Sequence, residues 1–95
     1  MKLVWTASAK QNLREILSYI RADNPGAARK MKVRIETSVG YLARQAFMGR
    51  PGAIPGTREG IPHPSYRVVY QILEDEVHIV AVVHTARQWP PVTDD

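Results

Sequence analysis

Two stretches near the end of the chain carry side chains that could act on a phosphate or a proton. The stretch SYRVVY contains Arg67, and HTARQWP contains His84 and Arg87. Arginine can bind a phosphate through two parallel hydrogen bonds, and histidine can exchange a proton near neutral pH. Any chemistry that needs both groups requires them to share a site, so the elements that carry them decide what they can do.

The two stretches belong to two predicted strands of one hairpin. YRVVYQIL and VHIVAVVH are rich in β-branched and aromatic residues, and they flank the acidic turn EDE. With a two-residue loop, Arg67 faces Val82 and has His84 as a diagonal neighbour on the same face, about 7–8 Å away. With a three-residue loop, His84 moves to the opposite face. A joint role for Arg67 and His84 therefore depends on the register.

The first half of the chain predicts a strand and two helices. LVWT predicts a short strand at residues 2–6, and Ser8 with Gln11 has the spacing of a capping box at the start of a helix. Asn24 and Pro25, in DNPG, are suited to begin a second helix. Apolar residues at helical spacing predict the buried faces. These are Leu13, Ile16, Leu17 and Ile20 in the first helix, and Ala28, Met31, Ile35, Val39 and Leu42 in the second.

The order of these elements predicts an α+β fold. A Gly/Pro-rich loop, GRPGAIPGTREGIPHP, follows the helices and allows at most a short strand at residues 57–61. We expect an N-terminal strand, a helical hairpin and then antiparallel strands, which form one sheet with the helices packed on one face. The 95 residues are enough for a single domain, 1–95.

Composition and charge restrict the function. The chain has no cysteine and only three scattered histidines, so we predict no metal and no cofactor. No apolar run is long enough to cross a bilayer, and no secretory signal precedes the domain, so we expect a cytoplasmic protein with no membrane partner. Residues 1–50 contain ten Lys or Arg and three acids. The basic helix predicts a nucleic-acid-binding or partner-binding surface, or else a solvated helix face. Its candidate residues are Arg29, Lys30, Lys32 and Arg34.

The element order and four motifs resemble the RelE/ParE superfamily of bacterial toxins from toxin-antitoxin pairs. The motifs are NPGAA between the helices, GTRE after the Gly/Pro loop, SYRVVY and HTARQWP. The resemblance covers nearly the whole chain. It implies a toxin whose antitoxin wraps around it. RelE-type members cut messenger RNA on the ribosome, whereas ParE-type members act on DNA gyrase.

The resemblance also assigns candidate site residues. In a RelE-like enzyme, Arg67 would contact the scissile phosphate, Arg87 would be the second arginine, and His84 would act as acid or base. Trp89 lies where such enzymes place an aromatic residue or a histidine; it can stack on a base but cannot donate a proton usefully. The Gly/Pro loop adds three candidates for binding RNA or a partner. These are Arg50, Arg58 and Glu59, of which Glu59 could also serve as a base.

The lysine-rich segment of RelE-type enzymes has no counterpart here, because no lysine follows Lys32. This difference and the tryptophan at position 89 favour the ParE branch. We therefore predict a toxin that is neutralised by a cognate antitoxin and inhibits growth through DNA gyrase. The alternatives are a ribosome-dependent endoribonuclease and a non-toxic interaction module with the same fold.

Overall fold

The computed structural model of the chain describes residues 1–91. The elements are β1 (Lys2–Trp5), α1 (Ala7–Asp23), α2 (Pro25–Arg44), a 3₁₀ turn (Ala46–Met48), β2 (Arg50–Pro51), β3 (Arg58–His63), β4 (Tyr66–Leu73) and β5 (Glu76–His84). The five strands form one sheet in the order β1-β5-β4-β3-β2, which carries the two helices on one face. Strand β1 lies parallel to β5 and the other pairs are antiparallel, so the sheet is mixed and the predicted α+β fold is confirmed.

The two helix starts differ in how well they were predicted. Asn24 caps α2 as expected, since its Oδ1 accepts a hydrogen bond from the amide of Ala27 at 3.0 Å and Pro25 is the first helical residue. The capping box at Ser8 was wrong. Helix α1 begins earlier, because Thr6 Oγ1 accepts from the amide of Ala9 at 3.1 Å. Thr6 directly follows β1, so one residue ends the strand and caps the helix.

The core lies between the helices and the sheet. The apolar stripe of α2 is confirmed: all its members are buried except Met31, which is half-buried and packs against the core. Of the predicted stripe of α1 only Leu17 is buried, while Leu13, Ile16 and Ile20 are half-buried; Ala9 of this helix is also buried. Helix α2 therefore contributes more of its predicted stripe to the core than α1 does. The sheet contributes alternating side chains, among them Val68, Tyr70, Val77, Ile79 and Val82.

The register of the β4–β5 hairpin corrects the prediction for Arg67 and His84. The loop has two residues, but Val69 pairs with Ala81 and Tyr70 pairs with Ile79. Val80 is therefore an extra residue in β5, a β-bulge that shifts the rest of the strand by one position. Beyond the bulge, Arg67 opposes Val83 instead of Val82, and His84 opposes Tyr66.

The bulge is supported from outside the hairpin. The backbone amide and Oγ1 of Thr6 both donate to the carbonyl of Ile79, at 3.1 and 2.8 Å. Asn12 Oδ1 accepts from the amide of Val82 at 3.1 Å. Strand β1 ends at Trp5, so the backbone groups of β5 beyond it form hydrogen bonds with Thr6 and with Asn12 of α1 instead. His84 faces the helices, and Arg67 lies on the opposite face of the sheet.

Strand β3 is longer than the predicted segment at residues 57–61. It extends over Arg58–His63 and pairs with β4, with an irregularity between Gly60 and His63. No helix within residues 1–91 is long and apolar enough to cross a membrane.

Candidate functional site

A buried carboxylate organises the face of the sheet that is not covered by helices. Glu59 opposes Arg50 across β2 and β3, and Arg67 is its diagonal neighbour on β4. Glu59 Oε1 accepts from Arg50 at 3.4 Å and from Arg67 at 3.2 Å, while Oε2 accepts from the amide of Ala53 at 3.1 Å. We call Arg50, Glu59 and Arg67 the Glu59 cluster. The Glu59 side chain is only 3% exposed, so its ion pairs are shielded from water on one side.

Arg67 is the more enclosed of the two arginines in the Glu59 cluster. Its side chain is 20% exposed, compared with 57% for Arg50. Arg67 Nε is buried and has no hydrogen-bond partner among residues 1–91. The guanidinium of Arg67 thus donates one hydrogen bond from Nη1 to a carboxylate, so this donor is already used and cannot take part in a bidentate phosphate contact without leaving Glu59.

The other predicted residues of the hairpin gather at a groove on the opposite side of the sheet. This end groove lies between α1 and the segment after β5 and encloses about 600 Å³. Its walls combine aromatic, apolar and polar side chains. They include Asn12, Ile16, Tyr19, Tyr66, His84, Arg87 and Trp89. The structure therefore brings His84, Arg87 and Trp89 together and separates them from Arg67.

His84 has a defined environment in the end groove. Its ring meets the Tyr66 ring edge-on, with centroids 5.2 Å apart, and its Nδ1 accepts from the amide of Ala86 at 3.0 Å. A neutral His84 with Nδ1 as acceptor carries its proton on Nε2. Burial raises the pKa of Tyr66 above its usual 10.0, with a smaller contribution from Tyr19. Tyr66 therefore stays a neutral hydroxyl at physiological pH.

All four predicted residues of the basic helix are exposed on α2, namely Arg29, Lys30, Lys32 and Arg34. Arg34 also donates from Nε to the carbonyl of Pro62 at 2.7 Å and so helps to fix the irregular part of β3. Arg29, Lys30 and Lys32 form what we call the basic face. Within residues 1–91, no group of three His, Asp or Glu side chains could hold a metal ion.

Arg58 lies apart from the Glu59 cluster, although Arg58 and Glu59 are adjacent in sequence. It opposes Tyr70 and points to the helix side, where its Nη1 donates to the carbonyls of Phe47 and Gly49 at 3.2 and 2.7 Å. Sequence reasoning missed Phe47 and its neighbour Met48, which are exposed. The signal was the apolar pair in AFMG, placed after the helical stripe had ended.

The fold is a two-layer α+β domain with two helices on one face of a mixed five-stranded sheet. Residues 3–89 match the family of ParE toxins of type II toxin-antitoxin systems, parDE. The chain therefore belongs to the ParE toxin family and is the toxin of a type II system.

Curated relatives and solved structures agree with this family. The chain is 42% identical over 95 residues to Y4kP of Sinorhizobium fredii, named as a toxin, with 96% of this chain and 95% of the relative covered. It is 36% identical over 86 residues to toxin RelE2 of Caulobacter vibrioides, covering 90% of this chain and 97% of the relative.

Two solved structures share the fold. One is a chromosomal ParDE system from P. aeruginosa, with a TM-score of 0.80, 24% identity and coverage of 88% of this chain and 95% of the other. The other is the RelBE2 toxin-antitoxin complex from Mycobacterium tuberculosis, with a TM-score of 0.61, 23% identity and coverage of 87% and 95%.

Proposed function

We propose that this toxin arrests growth by binding DNA gyrase in the cytoplasm, and that a cognate antitoxin neutralises it. The observation that supports gyrase over RNA is the placement of Arg67, which is paired with the buried carboxylate of Glu59 and lies on the opposite face of the sheet from His84. A surface that only binds a protein has no need for these two residues to cooperate.

RNA cleavage makes stricter demands on geometry. Attack by a 2′-hydroxyl on the adjacent phosphate needs a base, a cation at the developing negative charge and an acid for the leaving oxygen, all around one phosphorus atom. The Glu59 cluster combines two positive charges and one negative charge, and the amide of Ala53 holds the carboxylate in place. A phosphate that used Nη1 of Arg67 would have to displace Glu59, and a phosphate anywhere on this face would lie away from His84.

The end groove and the basic face are the surfaces proposed to bind the antitoxin. The solved relatives are a ParDE system and a RelBE2 toxin-antitoxin complex, and this chain offers two surfaces for such a partner. The end groove has apolar and aromatic walls that suit a helical or extended segment. The basic face on α2 attracts acidic residues and speeds encounter.

A RelE-like ribonuclease is the second candidate. It is favoured by the grouping of His84, Arg87 and Trp89 in the end groove and by the relative named RelE2. In that case Arg87 would bind the phosphate, His84 would transfer a proton, and Trp89 would stack on a base. Arg67 would then have a structural role only.

Two assays on the purified toxin decide between the candidates. We expect the wild type to inhibit supercoiling by gyrase and to leave messenger RNA uncut in a translating extract, as mapped by primer extension. Arg67→Lys keeps the charge that faces Glu59 but removes the bidentate fork. We expect this variant to inhibit gyrase as the wild type does, and excess antitoxin to abolish the inhibition.

The opposite pattern would reject the gyrase proposal. Cuts in the message that depend on His84 and Arg87, together with normal supercoiling, would establish the ribonuclease. Absence of both effects and of growth arrest would favour a non-toxic interaction module. The matched variants for the first outcome are His84→Gln and Arg87→Gln, each of which keeps a polar side chain but removes the proposed proton or charge.

A further inference from the structure

The 3₁₀ turn after α2 presents two large apolar side chains to solvent. Phe47 is 68% exposed and Met48 is 62% exposed, and they are adjacent in the chain. Single exposed apolar residues are common, but a contiguous pair on a tight turn forms a patch of the kind that marks protein interaction sites. We call Phe47 and Met48 the apolar turn.

Buried hydrogen bonds hold the apolar turn in one conformation. The hydroxyl of Tyr70 donates to the carbonyl of Ala46 at 2.7 Å and accepts from the amide of Gly49 at 3.0 Å, so one side chain ties both ends of the turn. Tyr70 is completely buried. A Cβ atom at position 49 would collide with the Tyr70 side chain, so the close approach requires glycine there.

Arg58 fixes the turn from its outer side. Its two hydrogen bonds go to the carbonyls of Phe47 and Gly49, and its guanidinium lies over the Phe47 ring, 5.2 Å from the centroid. The phenyl ring is thus oriented before any partner arrives. A side chain that is already ordered loses less conformational entropy on binding, which strengthens an interface without new contacts.

The surroundings of the apolar turn are positive. A shallow cavity of about 370 Å³ lies beside it, at the end of α2. Within the described part of the chain the lining residues include Arg44 and no acidic residue. Arg44 also lies over the Tyr41 ring at 5.9 Å, and Tyr41 is 45% exposed. The patch therefore has an apolar centre and a cationic rim, which is complementary to an apolar side chain flanked by carboxylates.

We propose that the apolar turn is the docking site for the protein that this toxin inhibits, and that the target segment presents an apolar side chain next to acidic residues. The inference rests on the proposed function and adds a location to it. The apolar turn is held by Tyr70, whereas the end groove contains Tyr66, four residues away along β4, or roughly 13 Å. The target then binds at the apolar turn and the antitoxin binds at the end groove. The bound antitoxin neutralises the toxin by sterically blocking the apolar turn.

A pair of matched double variants tests the site. Phe47→Ser/Met48→Ser removes the apolar turn, and Ile61→Ser/Leu73→Ser removes two apolar side chains that are 49% and 48% exposed elsewhere on the sheet. All four positions are exposed, so both variants should melt close to the wild-type temperature and co-purify with the antitoxin. We expect the first variant to need at least about tenfold more protein for half-inhibition of supercoiling, and the second to match the wild type. Arg44→Glu should weaken inhibition most at low salt.

Three outcomes would overturn the inference. One is equal inhibition by the two double variants and the wild type. The second is loss of antitoxin co-purification by Phe47→Ser/Met48→Ser, which would assign the turn to the antitoxin. The third is message cleavage that depends on Phe47. If the wild type stops growth without inhibiting supercoiling, gyrase is the wrong target, and growth arrest replaces supercoiling as the readout for the same variants.

Discussion

The Glu59 cluster and the end groove each contain one of the two predicted catalytic arginines, but in opposite surroundings. In the Glu59 cluster, two guanidinium groups surround a carboxylate that is 3% exposed, and their charges are largely used within the protein. In the end groove, His84, Arg87 and Trp89 line an open space of about 600 Å³. We expect the first region to stabilise the sheet and the second to be available to a partner.

The comparison shows that residue type alone does not indicate a function. Arg67 and Arg87 resemble one pair of catalytic arginines in the sequence, but one is tied to Glu59 and the other lies at the end groove. For His84 the separation from Arg67 arises from a single extra residue in β5, Val80, because a shift of one position reverses the faces of the strand residues after it. Variants in both regions can test whether one is structural and the other available.

The largest effect is expected for Glu59→Ala. The substitution leaves Arg67 without its counter-ion and the amide of Ala53 without its acceptor. Breaking a buried ion pair from one side costs about 3–5 kcal/mol, and solvent access to Arg67 places our expectation at about 3 kcal/mol. Urea unfolding followed by circular dichroism measures the change. A loss below about 1 kcal/mol would show that the Glu59 cluster is not structural.

A second comparison lies within the Glu59 cluster. Arg67→Ala should cost about 2 kcal/mol, since it leaves Glu59 with only its exposed partner, whereas Arg50→Ala should cost less than about 1 kcal/mol. The difference follows from the exposed fractions of 20% and 57%. The same unfolding experiment compares the two variants directly. Equal losses would contradict the assignment of Arg67 as the enclosed partner.

In the end groove, His84→Ala should have a smaller effect on stability. The variant loses the edge-on contact with Tyr66 and the acceptor for the amide of Ala86. An aromatic pair contributes about 0.5–1.5 kcal/mol, so we expect a loss of about 1 kcal/mol. The affinity of His84→Ala for the antitoxin, measured by calorimetry, should also be lower than that of the wild type. His84→Phe, which keeps the aromatic contact, is the control and should restore most of the stability.

The smallest effect should appear at alkaline pH. Burial raises the pKa of Tyr70, and that of Tyr66, above the usual 10.0. Unfolded tyrosines ionise first, so their contribution to stability is complete below about pH 10 and is lost as the pH rises through the higher folded pKa. Unfolding free energies from about pH 8 to about pH 11 measure the loss. Tyr70→Phe should have a lower unfolding free energy than the wild type throughout, but that free energy should fall less as the pH rises. A fall equal to that of the wild type would contradict the role of Tyr70.

Much of the fold could be predicted because the relevant signals are local. The apolar stripe of α2 and the cap at Asn24 depend on residues within one or two turns, and both are confirmed. The early start of α1 escaped prediction because Thr6 competes with Ser8 as a cap, and its contact with Ile79 in β5 supports that choice. The candidate site was less predictable, since Glu59 meets Arg67 only through strand pairing.

The sequence by itself determined the order of the main elements and the α+β class, because caps and hydrophobic periodicity act over short distances, and its motifs indicated the toxin family by their resemblance to known members. Only the tertiary structure decided which charged groups are used within the protein and which remain available. Hydrogen bonds from Thr6 to Ile79 and from Val82 to Asn12 of α1 flank the bulge at Val80. Such long-range contacts set the register, and the register assigns Arg67 to the covered carboxylate and His84 to the open groove.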